Sequence, residues 1–137
     1  MVSKISLFTI ALFFNLITVS FTTNAIITGR LKCNGTFLTG VKVSVCDGTS
    51  SQNPLITGQS DENGRFSLTA QLESSDNIHR VSIHHNCTLQ GTKNIYTRQR
   101  TYNPPSTTPT PNYRPQMSLS DIELFNATTN GNFTPCN

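Results

Sequence analysis

The chain has no tryptophan and little charge. Charged residues make up 12% of its 137 residues, about half the share of an average soluble domain. Ten Lys+Arg against seven Asp+Glu leave a formal charge of +3. That is too weak and too dispersed to act as an electrostatic footprint for nucleic acid. No Cys-x-x-Cys occurs, and His84 and His85 lie too close to Cys87 for zinc-finger spacing, so no metal site is expected. Gly-x-Ser-x-Gly, His-Glu-x-x-His and the P-loop are also absent, and no Cys and His are placed as nucleophile and base. No catalytic residue and no cofactor follow from this pattern. A 3.6-residue apolar period of useful length is missing, which leaves room for at most one short helix, near Leu72–Ile78.

What is present begins with an export signal. Lys4 supplies a positive start, Ile5–Phe21 is apolar apart from Ser, Thr and Asn15, and Thr22, Thr23, Asn24 and Ala25 are small and polar. This order is that of a secretory signal peptide, with cleavage expected after Ala25. Ile5–Phe21 is at the short limit for a membrane span, and no second apolar run follows. The mature chain, Ile26–Asn137, is therefore expected outside the cell with no transmembrane segment. Its four cysteines, Cys33, Cys46, Cys87 and Cys136, read as two disulfides with three connectivities open. Four Asn-x-Thr sequons, at Asn34, Asn86, Asn126 and Asn132, mark surface positions for glycans. Glycans can supply the solubility that the sparse charge does not.

The mature chain alternates. Ile27, Gly29, Leu31 and Cys33 share one face of a strand, and Val41, Val43 and Val45 one face of another, with Lys42, Ser44 and Cys46 outward. Pro54–Ser60 is a weaker strand. Asp61-Glu-Asn-Gly64 is a turn leading into Arg65–Thr69, with Phe66 and Leu68 inward. In Arg80–Cys87 the residues Val81, Ile83, His85 and Cys87 share a face; Ile95–Tyr102 and Met117–Phe125 complete the set. Period two with β-branched residues gives half-buried strands. Short strands at this spacing predict an all-β, antiparallel sandwich of about seven strands.

Two stretches stand apart. Thr101–Pro115 holds five of the seven prolines, which removes too many donors for an interior ladder, so it is expected to run over the surface. The tail 126–137 is polar and frays unless Cys136 ties it down. The residues with candidate chemistry are few. His84 and His85 are adjacent in a strand and point to opposite faces, so His85 reads as a buried, hydrogen-bonded side chain. His79 falls outside that strand and adds no third ligand. Asp61 caps its turn, with Gly64 supplying positive φ. Tyr96, Arg98, Arg100 and Tyr102 share one strand face and form a candidate site for an anion, an acidic glycan or a phospholipid headgroup.

The ordered segments resemble the nematode transthyretin-like family. GRLKC (Gly29–Cys33), VKVSVCD (Val41–Asp47), SDENGRFSL (Ser60–Leu68), VSIHHNC (Val81–Cys87) and the closing MSLSDIELF (Met117–Phe125) follow its motif order over Ile27–Phe125. Cys46 stands where the family usually has an aromatic, His84 where it has Tyr and Ser120 where it has Gly, as in a divergent member. The resemblance implies a transthyretin-like domain over 26–125, with 101–115 as an excursion. It also implies the pairing Cys33–Cys87, because the strands carrying them end together in that arrangement, and then Cys46–Cys136. A free Cys46 or an intermolecular bridge is the alternative. The implied function is that of a secreted, non-enzymatic binding protein whose partner is an extracellular protein, glycan or phospholipid. A structural or cuticle-associated glycoprotein is the second expectation. A hydroxyisourate hydrolase is the third, and the chain's end, Phe133–Asn137, lacks the Tyr-Arg-Gly-Ser of those enzymes.

Overall fold

The computed structural model describes residues 23–74, 76–103, 114–127 and 133–137. Most of the signal segment, the centre of the Pro/Thr run and Asn132 lie outside the described residues. Among those described there are eight strands and no helix. They are β1 (Thr23–Cys33), β2 (Thr36–Phe37), β3 (Lys42–Asp47), β4 (Ile56–Gln59), β5 (Arg65–Leu72), β6 (Ile78–His85), β7 (Asn94–Thr101) and β8 (Gln116–Glu123). The all-β sandwich expected from alternation is the observed fold. The room left for at most one short helix, near Leu72–Ile78, is not used: β5 runs to Leu72, Asn77 takes φ 54 and β6 starts at Ile78. The eighth strand is the two-residue β2, too short to show a period.

Two sheets face each other. In the first, β1 is central, with β2 and β5 antiparallel on one side and β8 parallel on the other. The second has the order β4-β3-β6-β7, antiparallel throughout. The core between them is filled by the inward residues of both, because alternate side chains of each strand point to one face. β5 is the cleanest case: Phe66, Leu68, Ala70 and Leu72 are buried and their neighbours exposed. They meet Ile27 and Leu31 of β1 and Val43, Val45, Val81 and Ile83 of the second sheet in one cluster.

Two glycines permit this packing. A Cβ on Gly29 would lie 2.6 Å from the Phe66 ring, its register partner on β5. Gly64 (φ +73) closes the β4–β5 turn so tightly that a Cβ would stand 2.4 Å from the Leu31 carbonyl oxygen. In that turn the Asp61 Oδ1 accepts the N–H groups of Asn63 and Arg65, each at 2.9 Å, as its sequence predicted. β8 departs from simple alternation. Its register against β1 shifts between Thr28 and Arg30, and Ser120 takes φ 59. Ser120 and Asp121 both point outward, so Leu119 and Ile122 both reach the core. This is a β-bulge: one extra residue restores the inward phase.

The disulfides are Cys33–Cys87 and Cys46–Cys136, the two pairs expected. They close loops of 54 and 90 residues. Each constrains the unfolded chain by about 4–5 kcal/mol in the chain-entropy picture.

Candidate ligand-binding faces

β7 and the residue after it, Tyr102, carry the four residues that alternation placed on one face. They do share it, opposite Ile83, Val81 and His79 of β6: Tyr96 pairs with Ile83, Arg98 with Val81 and Arg100 with His79. The face looks toward the first sheet. Tyr96 and Tyr102 are therefore buried in the core, and the Tyr102 hydroxyl donates to the Ser74 carbonyl at 3.1 Å. Arg98 reaches across to the Leu119 carbonyl of β8 at 3.4 Å. Only Arg100 is fully exposed.

His79 is part of β6, not outside the strand as its sequence context indicated, because β6 starts two residues earlier. It is fully buried between Asp47 and Arg100 on the neighbouring strands. Neither ring nitrogen has a hydrogen-bond partner among the described residues. Burial, then the Arg100 charge, push its pKa down to about 4, against a smaller opposing pull from Asp47. His85 lies on the same face at the other end of β6. Its Nδ1 accepts the Cys87 N–H at 3.0 Å, so it is the buried, hydrogen-bonded histidine expected.

The outer face of the second sheet is covered. Ser44 and Cys46 were expected outward, and Arg80 and Ser82 lie opposite the Val81–Ile83 face, yet all four are buried. Residues 133–137 lie over them. Cys136 is bonded to Cys46, its N–H donates to the Ser82 Oγ at 2.8 Å, and its carbonyl meets the His84 Nε2 at 2.9 Å. Arg80 is the largest fully buried side chain. Its Nε donates to the Gly48 carbonyl at 2.8 Å, and its two terminal nitrogens donate to Ser51 and Thr134 carbonyls. Burial lowers its pKa. Sequence reasoning missed Arg80, since only the docked tail distinguishes it from a solvated arginine.

The outer face of the first sheet is open. A cleft of about 600 Å³ there is walled by Thr28, Arg30, Asp61, Arg65, Ser67 and Asp121, two cations and two carboxylates among them. Arg30 and Arg65 are direct neighbours across β1 and β5. Arg30 grips Asp121 with two hydrogen bonds, 2.9 and 2.8 Å, and Lys32 adds a third cationic contact at 3.1 Å. Hydrogen bonds from Arg30 and then Lys32 hold the Asp121 pKa down at about 2. Arg30 also lies 4.7 Å over the Phe37 ring. Glu123 is spent on the backbone, accepting N–H groups of Asn34, Gly35 and Phe125. Arg65 is exposed beside a floor of hydroxyls. This arrangement suits an anionic group, which a guanidinium can grip in a bidentate manner.

Three sequons gather at one end. Asn34 and Asn86 flank the Cys33–Cys87 bond, and Asn126 follows β8, which ends beside Lys32. All three are exposed.

Two facing sheets, with strand orders β5-β1-β8 and β4-β3-β6-β7, clasped by two disulfides and open on one outer face, define a disulfide-bonded β-sandwich domain. The profile of the TTR-52 transthyretin-like family matches residues 28–103. The match covers more than half of the chain, and the chain belongs to this family. A search of curated proteins finds no match.

Proposed function

We propose that this chain is a divergent nematode member of its family, exported after removal of residues 1–25. In this reading the mature domain is a non-enzymatic extracellular binding protein that recognises an acidic group on a cell-surface, lipid or protein ligand. The observation that carries the reading is the asymmetry of the two outer faces. One is sealed by the C-terminal tail, and the other presents Arg30 and Arg65 side by side above Ser and Thr hydroxyls. Glycans at Asn34, Asn86 and Asn126 would project from the end bearing the Cys33–Cys87 bond and leave the open face clear.

The test is pull-down of the secreted protein against intact cells, vesicles with and without anionic lipid, and acidic and neutral glycans. Binding to one acidic class, weakened about tenfold or more by Arg65→Glu, is expected from loss of a charge-assisted contact. Retention of full binding by Arg65→Glu would refute the assignment of this face. Recovery of the protein only from an insoluble matrix, with no soluble ligand, would instead favour the structural glycoprotein. Turnover of hydroxyisourate is expected to be nil.

A further inference from the structure

The Cys33–Cys87 bond is built into two sequons. Asn34 follows Cys33 directly, and Cys87 is itself the middle residue of Asn86-Cys87-Thr88. In the folded domain the second sequon is fixed at every residue. The Asn86 carbonyl accepts the Thr88 N–H at 2.9 Å, a turn within the sequon itself. The Cys87 N–H donates to the His85 Nδ1 at 3.0 Å, and the Cys87 side chain is buried in its bond to Cys33. The Thr88 Oγ1 accepts the Thr92 N–H at 2.8 Å and donates to the Thr92 carbonyl at 3.2 Å.

Glycan transfer needs the opposite state: an accessible Asn amide, a Thr hydroxyl free to be recognised, and a backbone loose enough to enter the transferase. Asn86 is exposed, but the two residues after it are committed to the fold. Asn34 is fixed in the fold too. It takes φ 50, its N–H is held by Glu123 at 2.6 Å, and Thr36 pairs with Cys33. Order of synthesis separates the two sequons. Cys87 lies 54 positions after Cys33 and follows it by roughly 3–10 s at about 5–20 residues per second. For that interval Asn34 meets the transferase while Cys87 is still missing. Asn86 arrives together with Cys87, when Cys33 is already waiting, and disulfides form from seconds upward.

We propose that closure of Cys33–Cys87 and glycosylation of Asn86 compete in the newly exported chain, so that Asn86 is filled only where transfer comes first, whereas Asn34 is filled regardless of the bond. This rests on the export reading above. In transfer, the Asn86 Nδ2 bonds to the sugar C1 of a lipid-linked oligosaccharide. The bond from C1 to the lipid diphosphate breaks, the diphosphate leaves with the electron pair, and the amide proton passes to a base of the transferase. In closure, the Cys33 thiolate attacks the disulfide of a protein oxidant, and the Cys87 thiolate then displaces that oxidant. The two cysteines are oxidised and the oxidant leaves as a dithiol with their two protons.

The test is site-resolved mass spectrometry of secreted and cell-retained protein, reading occupancy at Asn34 and Asn86. In the native sequence Asn34 should be fuller than Asn86. Cys33→Ser leaves both sequons intact and should raise Asn86 to the level of Asn34. Cys46→Ser with Cys136→Ser weakens the domain but keeps Cys33–Cys87, and should leave Asn86 at its native level. Folded, oxidised protein secreted with glycan-donor synthesis blocked should stay bare at Asn86 when given purified oligosaccharyltransferase and lipid-linked oligosaccharide. With Asn34 occupied, an unchanged Asn86 in Cys33→Ser, an equal rise in the Cys46→Ser, Cys136→Ser double variant, or transfer to Asn86 of the folded protein would overturn this proposal alone. Vacancy at both sites throughout would overturn the export reading with it.

Discussion

His79 shows how burial of one residue sets a pH dependence. Its folded pKa of about 4 lies below the unfolded value of roughly 6.5. The folded state therefore holds fewer protons than the unfolded state between those values. Stability should fall as pH drops from about 6.5 to about 4, by about 3 kcal/mol in all, and level off below. His85, whose pKa burial also lowers, adds to the same fall, so urea denaturation at stepped pH isolates the His79 share only as the difference from a His79 variant. His79→Phe, which keeps a ring beside Tyr102, should reduce the slope; an unaltered slope would assign it to another group. Ser120 makes the opposite case. It holds φ 59 in the β8 bulge, a left-handed conformation that costs a non-glycine residue roughly 1–2 kcal/mol. Ser120→Gly should stabilise the fold by about 1 kcal/mol after glycine's own entropy cost. A drop in denaturation midpoint would show that the Ser120 side chain contributes more than its backbone costs.

At the scale of elements, the tail is the piece with the most unusual role. Five residues cover a sheet face that would otherwise be solvated, and they do so through Cys136 and the backbone, with little apolar area. Removing the bond by Cys46→Ser with Cys136→Ser should cost about 4–5 kcal/mol if chain entropy dominates. It should also free the Thr134 carbonyl from Arg80 and leave that buried guanidinium one acceptor short. Limited proteolysis should then clip the tail before the sandwich. A variant whose tail stays protected would mean that the hydrogen bonds to Ser82 and His84 suffice without the disulfide. β8 illustrates a different point about elements. Its residues alternate well enough to be recognised as a strand, but its parallel pairing with β1 and its bulge arise from partners about 90 positions away.

Taken as a whole molecule, the domain is polarised. The sequons with described positions sit at the Cys33–Cys87 end, the sealed face bears the tail, and the open face bears the arginines. Export should yield a protein in the medium beginning at or near Ile26, checked by N-terminal sequencing. Cleavage there shortens β1 by the three pairs Thr23–Leu72, Asn24–Gln71 and Ala25–Ala70, and Ile26 keeps its bond to the Pro115 carbonyl at 2.9 Å. Glycosidase treatment of that product should increase its gel mobility. A cell-retained chain starting at Met1, or mobility that glycosidase leaves unchanged, would count against export or glycan occupancy respectively.

The sequence by itself determined the inward faces. Ile27, Leu31, Val43, Val45, Phe66, Leu68, Val81 and Ile83 are all buried where a period of two put them, because a strand's side chains alternate whatever its partner. The Asp61–Gly64 turn was legible for the same reason: its hydrogen bonds span four residues. The β7 set was legible as a shared face but not as to which way that face looks, so Tyr96 and Tyr102 became core residues. Tertiary structure alone decided everything that depends on a covering layer. Arg80, Ser82 and Cys46 carry an outward pattern and are buried because a tail 54 residues beyond Ser82 docks on them. His79 is buried by strands on both sides, and the concavity beside His84 and Ile95 exists only where β3, β6, β7 and Pro135 converge. Local periodicity reports the phase of one strand. Burial of its second face, and any cavity between elements, is a property of pairs of segments far apart in the chain, and no short window of sequence encodes it.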